Sequence, residues 1–233
     1  MELKDRNVIV TGGTGALGGA VVGAVLEAGA TCHVPVFDAA ELEGFPYADH
    51  ERVRLAQSVD LADEDAVARF YDAVDRPAAA LHLVGGFHMA PITETGAADF
   101  EAQMRMNALT CFLCCRAAVA AFRRAGEGGR IVNVTARPAL EPRSGAGMLA
   151  YTAAKAAVAA ITQGLAEEVA EDRIAVHAIA PSIIDTPGNR AAMPKADFAR
   201  WPRPEEIAEA MLALVRLDTA AARGALVPLY GRV

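Results

Sequence analysis

The chain is poor in the features that would assign it to several large functional classes. No lysine or arginine occurs from residue 7 to residue 51, and across all 233 residues 29 acidic side chains outnumber 22 basic ones, a formal net charge of −7. Nucleic-acid backbones and anionic membrane surfaces are held by clustered Lys and Arg, so the expected partner is a small molecule and neither of those. Cysteine is scarce, with four residues, three of them crowded at Cys111, Cys114 and Cys115; this is not the spread framework of a disulfide-stapled secreted domain. The start, Met1-Glu2-Leu3-Lys4-Asp5-Arg6, lacks the basic, apolar and small-residue sections of a signal peptide, so the expected location is the cytoplasm. His33, His50, His82, His88 and His177 scatter without metal-ligand spacing, and no metal is expected. Internal repeats and low-complexity linkers are absent as well.

What remains is an ordinary globular balance, 53% hydrophobic and 22% charged, enough for one substantial core. Residues 7–26 carry no charge and reach about the length of a membrane span, but glycines interrupt the run where a strand would hand over to a helix, which argues against that reading. Short apolar runs recur at 7–10, 32–37, 80–84, 130–134, 174–179 and Leu226–Leu229. Segments with helical apolar spacing, at 18–29, 63–74, 97–124, 150–171 and 204–217, separate them. Such alternation predicts βαβ units, hence an α/β fold: a doubly wound parallel sheet of Rossmann type in a single domain spanning residues 1–233. Residues 183–204, with Pro187, Pro194, Pro202 and Pro204, read as a loop covering a site.

The run Thr11-Gly12-Gly13-Thr14-Gly15-Ala16-Leu17-Gly18 follows the first strand and opens the first helix, and Gly13 to Gly18 fit G-x-G-x-x-G. A tight turn, close approach of backbone to a pyrophosphate and a helix N-terminal dipole all require glycine at that junction. The acid expected about 20 positions later, which would bond the adenine ribose, is Asp38 unless that residue merely starts a loop. With no cation nearby to pair a 2′-phosphate, NAD is expected over NADP. Asp60, followed by Leu61, either accepts from an adenine amino group or caps the next helix.

Tyr151-Thr152-Ala153-Ala154-Lys155 is a Y-x-x-x-K motif; four-residue spacing on a helix puts phenol and ammonium on one face, where the cation favours the phenolate. With this motif the chain resembles the short-chain dehydrogenase/reductase family essentially end to end. The resemblance implies an NAD(H)-dependent oxidoreductase in which Tyr151 exchanges a proton with a carbonyl or hydroxyl oxygen while Lys155 also holds the nicotinamide ribose. It implies that Asn107 holds a water linking the lysine to solvent, and that Pro181, the backbone of Ile184 and the hydroxyl of Thr186 pack the nicotinamide end. Family members commonly pair their long helices, so a homodimer or homotetramer is expected.

Two departures from the family pattern stand out. Leu83-Val84-Gly85-Gly86 replaces the usual Asn-Asn-Ala-Gly and leaves Gly85 and Gly86 on the adenosine side. No serine lies where the catalytic serine belongs: Ala136 takes that place, with Thr135 as a stand-in or Ser144 reaching in from its loop. Dihydropteridine reductases share both departures and form the second reading; a non-catalytic nucleotide-binding protein is the third. For the substrate side the expected residues are His88, Met148, Asn189, Arg190, Met193 and Trp201, with Arg190 either gripping an anion or solvated. Cys111 and Cys114 form a C-x-x-C inside an apolar helical pattern, where buried thiols are the expected reading.

Overall fold

Seven short segments in which apolar and small residues predominate line up as parallel strands, in the order β3-β2-β1-β4-β5-β6-β7. They are β1 Asn7–Thr11, β2 Thr31–Pro35, β3 Val53–Ala56, β4 Pro77–His82, β5 Gly129–Val134, β6 Ile174–Pro181 and β7 Leu226–Leu229. The computed structural model describes residues 1–217 and 222–233. Every residue of β4 and β6 is buried, as expected of central strands covered on both faces. The sequence pattern finds six of the seven strands; β3, Val-Arg-Leu-Ala, escapes because it is short, charged in its middle and near the sheet edge.

Among the described residues eight α-helices accompany the sheet: α1 Ala16–Glu27, α2 Glu64–Asp72, α3 Ala97–Gln103, α4 Thr110–Ala125, α5 Arg137–Leu140, α6 Leu149–Glu168, α7 Pro187–Ala192 and α8 Pro204–Arg216. Val21, Val22 and Val25 of α1 share one core layer with Ile207, Met211 and Val215 of α8. On the opposite face Phe70 and Tyr71 of α2, Cys115 and Phe122 of α4 and Val158 of α6 form the second layer. Asp63 caps α2 through the Ala66 N–H at 2.7 Å, and Pro204 sits in the first turn of α8.

Two expectations about elements change. The helix expected over 97–124 is not uniform: the backbone widens to a π-bulge over Met104–Leu109, between α3 and α4. Residues 183–204 are not one open loop but contain α7 and a single turn at Phe198–Arg200. The continuous helical path Ala97–Ala125 is long and apolar enough to cross a membrane, yet most of its apolar stretch is buried within the protein, as in a core helix.

Because β1 connects toward β2 on one side and β4 lies on its other side, the strand order reverses between β1 and β4. A crevice opens there at the carboxyl ends of the strands, where doubly wound folds bind their ligands.

Candidate active site

That crevice is a cleft of about 740 Å³, and it is built from glycine. Gly12 has φ +68°, and a Cβ there would lie 3.1 Å from the Val84 nitrogen. A Cβ on Gly18 would collide with the Gly12 carbonyl and the Gly13 backbone. Gly15 ends the loop as the N-cap of α1 without a side-chain cap, so the first N–H groups of that helix face outward for an anion. Gly12, Thr14, Gly15, Ala16, Leu17 and Gly18 line the cleft on one side; Asp60, Leu61 and Gly85 line it on the other. A dinucleotide's pyrophosphate fits this cradle, which any larger side chain would fill.

Asp38 does not line the cleft. Its carboxylate accepts from the Ala40 N–H at 2.9 Å and caps a short turn, so the loop-start alternative describes it. The carboxylate that does line the cleft is Glu41, which accepts from the Thr14 hydroxyl at 2.8 Å and from the Phe37 and Asp38 N–H groups. Sequence reading passed over it, although Asp38-Ala39-Ala40-Glu41 carries the spacing of a capping box. Phe37 and Arg105 also line the cleft and were not anticipated. Asp60 lines the cleft and does not cap α2, which Asp63 does: Oδ1 of Asp60 accepts from the Ala62 N–H at 2.8 Å and Oδ2 lies 3.5 Å from Arg105.

Beyond Gly85 at the edge of the cleft, α6 carries Tyr151 and Lys155 one turn apart, neither of them part of the cleft lining itself. Lys155 Nζ lies 5.9 Å from the Tyr151 ring centroid and donates to the Val134 carbonyl at 3.0 Å. Burial lowers the Lys155 pKa to about 8 and raises that of Tyr151 to about 12. Desolvation of the phenol therefore outweighs the expected help from the ammonium. Phe87 packs edge-on against the Tyr151 ring at 5.1 Å.

Asn107 sits in the π-bulge, where Gln103 O accepts from Asn107 Nδ2 at 3.1 Å. Its amide also clasps the Gly86 backbone in both directions, Nδ2 donating to Gly86 O at 3.1 Å and Oδ1 accepting from Gly86 N at 3.2 Å. The water-holding role that the resemblance implies thus falls to an amide already engaged with backbone. Gly85 stands over this pair: a Cβ there would lie 2.6 Å from Asn107 Oδ1 and 2.9 Å from Lys155 Nζ.

Neither substitute for the missing serine is free. Thr135, expected as a stand-in for the serine, is buried and its hydroxyl donates to the Lys155 carbonyl at 2.6 Å, a contact that fastens α6 to the end of β5. Ser144 is exposed and donates to Glu141 O at 2.8 Å. Ala136 lies two residues beyond the end of β5, at the N-cap of α5.

In the covering segment several side chains serve the segment itself. Asn189 Nδ2 donates to Ile184 O at 2.8 Å and its N–H to the Thr186 hydroxyl, which caps α7. Arg190 makes a two-point ion pair with Asp185, at 2.5 and 2.7 Å, and lies over the Phe198 ring, so it is not a free anion grip. Trp201 is buried beside Phe198. Pro181 ends β6, while Met148 and Met193 are half-buried at helix ends. The half-buried His88 follows Phe87, and its Nε2 is buried with no hydrogen-bond partner among the described residues.

Comparison with known proteins agrees with this geometry. Residues 6–197 match the family model of short chain dehydrogenases. An uncharacterized oxidoreductase of Mycobacterium tuberculosis is 32% identical over 93% of this chain and 79% of its own. Galactitol 2-dehydrogenase of Rhizobium johnstonii is 31% identical over 97% of this chain and 94% of its own. Among solved structures, ElxO with NADP bound superposes with a TM-score of 0.86 at 21% identity, covering 97% of this chain and 98% of that one. The family match, the parallel sheet and the Tyr151–Lys155 pair beside a glycine-walled cleft agree that this chain belongs to the short-chain dehydrogenase/reductase family.

Proposed function

We propose that the protein transfers a hydride between NAD(H) and a small carbonyl or alcohol, with Tyr151 as the general acid or base. The observation that carries this reading is the Tyr151–Lys155 pair, one helical turn apart and adjoining the cleft through Gly85. The nicotinamide supplies or accepts the hydride when bound. Tyr151 gives its phenolic proton to the substrate oxygen in reduction and takes the hydroxyl proton in oxidation; a positioned proton transfer of this kind contributes ~10²–10⁴ in rate. Lys155 stands one turn from the phenol to hold the nicotinamide ribose, and Asn107 fixes the Gly85-Gly86 backbone beside it. Without a serine hydroxyl the developing oxyanion lacks one donor, which lowers the rate by ~10²–10³.

Preference for NAD over NADP rests on Glu41. Its carboxylate lies beside Thr14 at the adenosine end, where a 2′-phosphate would meet like charge, and Arg105, a cation lining the cleft, is engaged with Asp60. The galactitol dehydrogenase relative supports the alcohol and carbonyl class. Ala136 and Gly85-Gly86 favour a second reading, reduction of a quinonoid dihydropteridine, which demands less of an oxyanion donor. Four free, buried thiols suit a cytoplasmic location, and the apolar outer face of α3 and α4 suits a homo-oligomer.

The test is oxidation of NADH and of NADPH against ketones, quinones and a quinonoid pterin, with Tyr151→Phe as control. NADH-selective turnover that disappears in the variant supports the proposal. Rates on the pterin far above those on ketones favour the second reading, and binding of cofactor without turnover on any substrate would return the chain to a non-catalytic role.

A further inference from the structure

Behind the catalytic helix, three side chains that the reaction does not use converge in the core. His82 ends β4, and Cys111 and Cys115 lie one turn apart on α4. All three are buried, and one ligating atom from each lies within 4.8 Å of the other two. The C-x-x-C spacing misleads here, because residues four apart share a helix face: Cys115, not Cys114, lies opposite Cys111, with their sulfurs 4.0 Å apart. Cys115 Sγ is 3.7 Å from His82 Nδ1. An ion bonded at ~2.3 Å to sulfur and ~2.05 Å to nitrogen, in tetrahedral or trigonal geometry, holds its sulfurs about 3.8–4.0 Å apart and sulfur from nitrogen about 3.6–3.8 Å. The Cys111–Cys115 and Cys115–His82 separations match these values, and the Cys111 sulfur lies within 4.8 Å of the imidazole.

The surroundings are oriented for the same purpose. Asn133 Nδ2 donates to the Thr162 hydroxyl at 2.9 Å, and that hydroxyl donates to Val158 O at 2.8 Å. The amide is thereby turned so that Asn133 Oδ1 faces the cluster, 2.9 Å from His82 Nδ1 and 3.5 Å from Cys115 Sγ. On the far side of the imidazole, Tyr71 Oη lies 2.9 Å from His82 Nε2. With Asn133 Oδ1 as acceptor, the ion-free imidazole carries its proton on Nδ1 and receives the Tyr71 hydroxyl at Nε2. Moving that proton to Nε2 frees Nδ1 to bind and lets Nε2–H donate to the phenol oxygen, the outer-shell contact that orients ligating histidines.

We propose that His82, Cys111 and Cys115, with the Asn133 amide oxygen as fourth donor, form a buried site for a thiophilic divalent cation of the zinc class. On binding, each thiol releases its proton to solvent, and two thiolates with a neutral imidazole cancel the charge of a divalent ion, so the core gains no net charge. Thr162 belongs to α6, so a bound ion would tie β4, α4 and β5 to the helix that carries Tyr151 and Lys155.

Reduced, chelator-washed protein is titrated with Zn(II) against a chromophoric chelator, and separately with Cd(II) while thiolate charge-transfer absorption is followed. One ion per chain is expected, with a zinc-edge X-ray absorption spectrum showing two sulfurs at ~2.3 Å. Cys111→Ser and Cys115→Ser are each expected to weaken binding by more than about 100-fold, whereas Cys114→Ser and Cys32→Ser leave it essentially unchanged. Absence of a bound ion in the folded wild-type protein, or a shell of nitrogen and oxygen alone, overturns the proposal, as does full affinity in the Cys111→Ser/Cys115→Ser double variant. The stoichiometry and the absorption edge are read on the wild-type chain, so the outcome does not depend on whether the variants fold.

Discussion

Lys155 is 5% exposed, and its ammonium donates to the Val134 carbonyl, a neutral partner that offsets only part of its lost hydration. Its folded pKa of about 8 lies below the ordinary 10.5, so the unfolded chain holds this proton more tightly than the folded one. The resulting penalty is present in full below pH 8 and fades as pH rises through 10.5; at 1.36 kcal/mol per pKa unit it reaches about 3 kcal/mol. Lys155→Met is therefore expected to be inactive and yet more stable at pH 7, by up to about 3 kcal/mol, with the gap closing toward pH 10. Tyr151 works in the opposite sense. Its pKa, raised from 10 to about 12, makes wild-type stability fall above pH 10. Urea unfolding at pH 7, 8.5, 10 and 11 measures both trends, and equal stability of the two proteins at pH 7 would contradict the first. Gly85 acts on the same pair from the other side. Gly85→Ala pushes on Asn107 Oδ1 and Lys155 Nζ and is expected to lower kcat by about 10²-fold and, because Gly85 also lines the cleft, to raise the cofactor Kd, measured by steady-state kinetics and fluorescence titration.

At the scale of elements, the turn after β2 separates two carboxylates that sequence alone does not tell apart. Asp38 caps it and Glu41 reaches the cleft, so Glu41→Gln should shift the NADH/NADPH preference toward NADPH by about tenfold, equivalent to about 1.4 kcal/mol. Asp38→Asn should leave the preference unchanged, since an asparagine also caps the turn. kcat/KM ratios for the two cofactors decide this, and a larger effect at Asp38 would reverse the assignment. The same turn shows what was legible beforehand. Glycine spacing, Y-x-x-x-K and the buried strands could be read because each is fixed by local backbone geometry or by burial on two faces. The direction of Asp38, the engagement of the Thr135 hydroxyl by Lys155 O and the pairing of Arg190 with Asp185 could not, because each depends on which backbone group or opposite charge folds within reach. β3 and the π-bulge were missed for a related reason: a four-residue edge strand and a one-residue widening leave no periodic trace in a sequence.

For the molecule as a whole, the helical path Ala97–Ala125 buries one side against the sheet and leaves the other unpartnered. Phe100 and Phe112 are exposed there, beside a shallow groove to which α6 adds Ala157 and Ile161. A lone chain gains nothing from apolar side chains in this position, whereas a second copy packing the same face against itself removes both surfaces from water. A stable pairing needs ~1,200–2,000 Å² of total buried area, so the contact must extend beyond the groove along both helices. The face also belongs to the site, since the π-bulge between Phe100 and Phe112 carries Asn107, and α6 carries Tyr151 and Lys155. Association should therefore brace the catalytic pair. Sedimentation velocity at micromolar concentration is expected to show a dimer or tetramer, and Phe112→Glu, which sets like charges against each other across a two-fold axis, is expected to yield a folded monomer with reduced kcat. A wild-type chain that sediments as a monomer would remove this account of the exposed face, and a monomeric variant with full kcat would show that the catalytic helices hold their geometry without a partner.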